Sequence, residues 1–340
     1  MLPEAPEAGK GECRRRRPAG GVQHGKAAPE TFCHLQAAFS RERAAGMKGH
    51  GSRPALRGAA SAVAAFLIWG LLPLYWKALE AIPPSLLIAL RVLLSLVALI
   101  PLMIGRGSLG AWWAALRDPG LVATHLLSGG LLTGNWLVYV WATQNARIVE
   151  GSVGYFLNPL VNVVLGYVFF QERLRPLQWA AVSLAAVGVA LQVGALGRIP
   201  WVALTLALSF GFYGLVRKKS PLGSISGLAL ETLLFAPFAA GWLLWIHSSS
   251  GWPEDIGGPR AFVLLGLAGV LTTAPLLCFG DAARRVRLST LGLLQFIAPS
   301  LQFVLGAFVY GEPLSSLLLV SLGFVWVGLG LYAADALRRL

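Results

Sequence analysis

VEGSVGYFLNPLVNVVLGYVFFQERLR, residues 149–175, has a counterpart in STLGLLQFIAPSLQFVLGAFVYGE, residues 289–312, at one fixed displacement. Phe156 aligns with Phe296, Pro159 with Pro299, Gly166 with Gly306 and Glu172 with Glu312, each pair 140 residues apart. The displacement persists beyond these stretches. Gly129 aligns with Gly269, Thr133 with Thr273, Arg147 with Arg287 and Gly188 with Gly328, and ALRVLL (89–94) faces ALETLL (229–234). Leu and Ala recur by chance in an apolar chain, but Pro, Gly, Glu and Arg held at one gap-free offset require an internal duplication.

The composition says what the duplicated unit is. The chain has 340 residues, of which 56% are hydrophobic and only 13% charged. Mean hydropathy is +0.66. A soluble domain would carry about a quarter charged residues, so most of this surface is expected to face lipid. Runs of roughly 20 apolar residues, the length that crosses a bilayer, are expected at 58–78, 86–104, 121–143, 150–170 and 177–195. A second series is expected at 199–216, 225–246, 261–280, 289–310 and 315–334. The fold class is therefore all-α and membrane-embedded, with ten transmembrane helices. Residues 57–197 form the first five-helix repeat and residues 198–336 the second. Residues 1–56 read as a disordered N-terminal extension, and Met47, which opens the basic lead-in MKGHGSRPALRG, is expected to be the natural start.

An odd number of spans per repeat forces the second copy to enter the membrane from the opposite side. Inverted repeats of this kind recur in secondary transporters, whose substrate site lies near the midplane between the halves. Lysine and arginine set the orientation, because cytoplasmic loops are enriched in them. One set of loops holds Arg106, Arg117, Arg173, Arg175, Arg217, Lys218, Lys219, Arg284, Arg285 and Arg287; the other holds only Lys77, Arg147, Arg198 and Arg260. Both termini are thus expected in the cytoplasm. This pattern accounts for the net charge of +13 without nucleic acid, since no basic run interleaves with aromatics for base stacking. Cys13, Cys33 and Cys278 form neither a disulfide framework nor a metal-ligand spacing.

Polar residues within apolar spans mark candidate functional positions, because a charge at the bilayer centre costs at least ~2.5–3.5 kcal/mol. Arg91 and Glu231 occupy equivalent positions in the two repeats. Either they line a central cavity, with Glu231 binding a proton or a cationic solute, or they form a structural pair, or Arg91 snorkels to the interface. In the third span, Gly130 and Gly134 form a GxxxG motif that permits close helix approach, and Asn135, Trp136 and Tyr139 follow. Pro159 and Pro299 remove backbone donors at mid-span and are expected to act as hinges or to border the substrate site. Tyr155, Asn158 and Asn162 surround the first of them; Gln295 and Gln302 flank the second. Tyr213, Trp69, Tyr75 and Trp76 are further candidates for the pathway. Glu172 and Glu312 are expected to cap the helix that follows each or to tie the loop.

With these motifs in hand the chain resembles the RarD family of EamA-domain transporters, within the drug/metabolite transporter superfamily. The resemblance rests on IWGLLPLYWK, LRVLLSL, GNWLVYVWA, SVGYFLNPLVNVVLGYVFFQERL, SFGFYGLVRKK, LETLL and LTTAPLLCFGDAARRVRLSTLGLLQFIAPSLQFVLGAFVYGE, and covers roughly residues 57–335. It implies two EamA repeats, a multi-pass protein of the bacterial inner membrane, and permease activity. Members often carry a chloramphenicol-sensitivity or resistance label.

The expected function is a secondary transporter that moves a small organic solute or drug by alternating access, with proton coupling as one option. No cofactor or metal is expected. The expected partners are a solute and membrane lipid, with room for a homodimer. The absence of GxxxxGK[ST], HExxH and GxSxG argues against ATP hydrolysis and common enzyme chemistry. Sensor or scaffold roles, and a membrane enzyme acting on a lipid-soluble substrate, are the alternatives.

Overall fold

Lipid offers no partner to a bare backbone N–H or C=O, so a chain this poor in charge should satisfy its backbone within helices. The computed structural model describes residues 53–79, 81–145, 148–195, 197, 199–252, 258–309 and 316–337, and no strand occurs among them. The helices are α1 (Arg53–Lys77), α2 (Pro84–Gly105), α3 (Leu109–Leu116), α4 (Pro119–Gln144), α5 (Ile148–Phe170) and α6 (Pro176–Ala195). They continue with α7 (Trp201–Lys219), α8 (Ser224–Ser250), α9 (Pro259–Arg285), α10 (Leu288–Gln295), α11 (Ile297–Val304) and α12 (Ser316–Leu337). The expectations placed on residues 1–52, Met47 among them, and on Glu312 lie outside the described residues.

Four of these helices open on proline: Pro84, Pro119, Pro176 and Pro259. The first turn has no use for the missing N–H, and the fixed φ suits it. Asp118 caps α4 in addition, its Oδ1 accepting from the N–H groups of Gly120 (2.9 Å) and Leu121 (3.2 Å). Among the described residues eight helices are long and apolar enough to cross a membrane: α1, α2, α4, α5, α6, α8, α9 and α12. The other two expected spans differ in kind. α7 closes on Arg217-Lys218-Lys219, and the ninth is interrupted.

That interruption corrects the expectation of one continuous ninth span over 289–310. α5 runs unbroken through Pro159. In the other half the helix breaks at Phe296, between α10 and α11, and α11 passes into a π turn at Leu305–Val309. The break precedes Pro299 by one turn, where the proline ring crowds the carbonyl four residues back. The loop after α2 contains a short helix, α3, LGAWWAAL.

The helices pack in a regular scheme. α6 lies against α12, α5 against α10 and α2 against α8; α1 packs on α9 and on α10–α11, and α7 on α4 and α5. Glycine permits the closest approaches, though not at the expected motif. A Cβ at Gly134 would meet nothing within 4 Å, and one at Gly130 only Phe235, at 3.7 Å. By contrast, a Cβ at Gly188 would lie 2.6 Å from the Ser321 carbonyl oxygen, and one at Gly328 would lie 2.6 Å from that of Ala181. An aromatic core of Phe66, Trp69, Phe210, Tyr213 and Phe279 joins α1, α7 and α9. Large apolar side chains such as Phe238, Leu244, Phe262 and Phe308 are exposed. Apolar surface on that scale marks contact with something other than water.

Candidate substrate cavity

Helices α1, α4, α5, α7, α9, α10 and α11 surround a cavity enclosing about 940 Å³ of space free of protein atoms, part of it continuous with the exterior. Seven of the expected site and hinge residues line it: Asn135, Trp136, Tyr139, Tyr155, Asn158, Gln295 and Pro299. Trp69, Trp76 and Gln302 line it too, whereas Tyr75 does not and instead donates to the Leu264 carbonyl (2.9 Å). The polar wall is partly self-satisfied. Asn135 Nδ2 donates to the Leu206 carbonyl (2.8 Å) and to Ser209 Oγ (2.9 Å). Asn162 Nδ2 donates to Gln295 Oε1 (2.8 Å), which ties α5 to α10. Asn158 Oδ1 is buried with no hydrogen-bond partner. The wall is otherwise aromatic and aliphatic, as suits a cavity that takes apolar or flat bodies and orients them with few polar groups. Pro159 does not line it; its carbonyl sits against Gly292, where a Cβ would come within 2.6 Å.

Arg91 and Glu231 line a smaller neighbouring cavity, together with Ser95, Thr232, Thr272 and Thr273; it encloses about 460 Å³ of space free of protein atoms, part of it continuous with the exterior. They are not each other's ion-pair partner. Glu231 is 2% exposed and sits in a cluster that motif reading did not assemble. Its Oε1 receives Ser128 Oγ (2.5 Å), lies 3.1 Å from His125 Nδ1, and pairs with Arg217 Nη1 at 3.4 Å. Its Oε2 accepts from Tyr213 Oη at 3.4 Å, which places Tyr213 in this cluster and outside the pathway wall. A carboxylate only accepts, so Nδ1 of His125 carries the proton by assignment. Nε2 then faces Ser220 Oγ at 2.9 Å. Arg217 reaches inward because Gly227 makes room; a Cβ there would lie 1.9 Å from Nη1. Removing one partner from a buried pair of this kind typically costs ~3–5 kcal/mol.

The sequence reading of Arg217 as a loop charge misses its fate, since the residue is 1% exposed. His125 carried a signal that was available, namely an ionisable residue within an apolar span.

Arg91 is different. It is 6% exposed, its Nη1 has no hydrogen-bond partner, and its guanidinium forms no ion pair among the described residues. Its contact is the face of Trp136, with Cζ 3.9 Å from the ring centroid. Trp136 in turn lines the larger cavity, and Leu276 lines both.

Glu172 departs from the first alternative and meets the second, tying its loop to a distant helix. It caps not α6, which follows it, but α10, more than a hundred residues on. Oε1 accepts from Leu288 N–H (2.7 Å), and Oε2 from Ser289 N–H (2.9 Å) and Ser289 Oγ (2.7 Å). Basic residues fasten the same region to carbonyls. Lys218 Nζ donates to Ala283 (3.3 Å) and Val286, Arg284 Nη1 to Leu222, and Arg287 Nη2 to Arg173 (2.7 Å).

Long apolar helices, a lipid-type surface and an internal cavity with buried charges define a multi-pass integral membrane protein built to admit a small molecule. Comparison with known proteins agrees. The EamA-like transporter family model matches residues 56–194. An uncharacterised transporter of Pseudomonas aeruginosa is 43% identical over 285 residues, covering 84% of this chain and 95% of its own. Protein RarD of Escherichia coli is 41% identical over 285 residues, covering 83% and 95%. A protein of known crystal structure superposes with a TM-score of 0.64 at 24% identity, over 83% of this chain and 99% of that one, a likeness of fold. The chain belongs to the RarD group of the EamA-like transporter family. It is a membrane transporter of the drug/metabolite superfamily and a multi-pass protein of the bacterial inner membrane.

Proposed function

We propose that the protein is a secondary transporter that moves a small organic solute by alternating access, its ten spans forming two five-helix repeats in opposite orientations with both termini cytoplasmic. The observation that carries this reading is the cavity of about 940 Å³, lined from one half by Trp136 and Tyr155 and from the other by Phe210 and Gln295. A site shared by two halves becomes alternately accessible when one rocks against the other.

Contacts that map onto themselves when residues 140 apart are exchanged support the pseudo-two-fold axis. Phe156 meets Phe296 at 6.5 Å between ring centroids. Gly188 meets Ser321 as Gly328 meets Ala181. The hinges fall at Pro299, beside the break at Phe296, and at its counterpart Pro159. Proton coupling, in this reading, belongs to His125–Glu231. Arg217 already balances the Glu231 charge, which argues against Glu231 as the receptor for a cationic solute.

Entrance counterflow in proteoliposomes tests the proposal. A saturable exchange is expected for at least one solute of a broad panel of metabolites and antibiotics. Trp136→Ala and Asn158→Ala should each lower it tenfold or more while the protein remains folded. No counterflow across the panel refutes a carrier.

A further inference from the structure

The geometry points to the smaller cavity as an anion subsite: it takes the carboxylate of an organic acid whose apolar or aromatic body lies in the larger cavity. The inference rests on the carrier reading above and names the class of its solute.

Arg91 is a buried cation without an anion, and a charge in such surroundings is retained when a partner satisfies it. Its Cζ lies 3.9 Å from the centroid of the Trp136 ring, Tyr155 is near enough to interact with it electrostatically, and Nη1 has no hydrogen-bond partner. Stacking occupies the faces of the guanidinium; its N–H groups point outward in the plane as a fork that matches a carboxylate. Thr273 Oγ1, on the same cavity wall, is also buried without a partner. Two residues that line one cavity thus each carry a buried donor without an acceptor.

The neighbouring hydroxyls are already engaged. Ser95 Oγ lies 3.1 Å from Thr272 Oγ1, Thr272 donates to the Ala268 carbonyl at 2.5 Å, and Thr232 donates to the Leu228 carbonyl at 2.7 Å. Glu231 is the carboxylate on this wall, and it draws on Arg217, His125, Ser128 and Tyr213, with no ion pair to Arg91. The surplus charge that faces the cavity is therefore positive. Leu132, Leu228 and Phe235 supply apolar walls, which weaken screening and favour a charge-matched ligand. The body of the solute fits next door because Leu276 lines both spaces and Trp136, over which Arg91 sits, lines the larger one. There the unpartnered Asn158 Oδ1 offers an acceptor for a donor on the solute.

Binding of matched acid and amide pairs to the full-length protein in detergent tests this: phenylacetate, indole-3-acetate and 4-hydroxybenzoate against their amides, with affinities from calorimetry. At least one acid should bind ~10-fold or more tightly than its amide, the effect of a hydrogen-bonded charge. Arg91→Gln should erase that preference and Arg91→Lys should keep part of it. Thr273→Val, a milder change in case Arg91 variants misfold, should weaken the acid severalfold and leave the amide unchanged.

Amides that bind as well as their acids, no acid that binds, or an acid preference that survives Arg91→Gln overturns the subsite. Flux separates the two claims. Saturable counterflow of neutral solutes alone, indifferent to Arg91→Gln, removes the subsite and leaves the carrier. Arg91-dependent acid binding without flux of any solute removes the carrier and leaves the subsite.

Discussion

Replacing Glu172 by alanine should destabilise the fold by about 3 kcal/mol, although the residue lies in a five-residue loop and touches no cavity. The carboxylate accepts three hydrogen bonds, from Leu288 N–H, Ser289 N–H and Ser289 Oγ. Loss of an N-cap costs ~0.5–2 kcal/mol in exposed helices, and bonds to a charged group contribute ~1.5–3 kcal/mol each. The three bonds share one carboxylate and do not add, so the net lies near the upper end of a single charged bond plus the orphaned buried N–H. Glu172→Gln keeps one acceptor oxygen and should cost about half as much. Ser289→Ala removes only the hydroxyl donor and should cost ~1 kcal/mol. Reversible unfolding in mixed micelles titrated with sodium dodecyl sulfate measures all three. A Glu172→Ala protein within 0.5 kcal/mol of the parent, a margin typical of neutral surface changes, refutes Glu172 as the cap of α10.

Two further outcomes follow from the packing. Arg217→Met should cost ~3–5 kcal/mol by stranding Glu231, and Arg217→Met/Glu231→Gln should recover most of it; the same unfolding assay as a double-mutant cycle reads this. Gly129→Ala should cost ~1–3 kcal/mol through overpacking, since its Cβ would lie 2.7 Å from the Phe235 ring. Gly134→Ala, with nothing within 4 Å, should be neutral or gain up to ~0.5–1 kcal/mol. Thermal shift of the two purified variants distinguishes them.

The helix positions were legible because hydropathy acts locally, and each expected span overlaps an observed helix to within a few residues or, at the ninth, a broken one. The cavity wall was largely legible as well. Asn135, Asn158 and Gln295 are polar in apolar runs, and such residues seek the interior. What escaped was pairing across distance. Nothing local to Glu172 points to Leu288, nor to Glu231 from His125, because the contact depends on how helices far apart in sequence are rotated and stacked. Arg217 escaped for another reason. A basic residue at a span's end reads as a topology signal, and only Gly227 and Gly280, whose missing side chains give the guanidinium its space, turn it inward. α3 escaped because eight residues with two tryptophans are too short to stand out as a span.

Lys218, Arg284 and Arg287 each donate to a carbonyl oxygen, and Lys218 and Arg287 also lie 4.0 and 3.9 Å from the Glu172 carboxylate. One negative charge cannot cancel two positive ones. Lys218 and Arg287 therefore hold their loops together and still leave a surplus cation, attractive to an anionic leaflet.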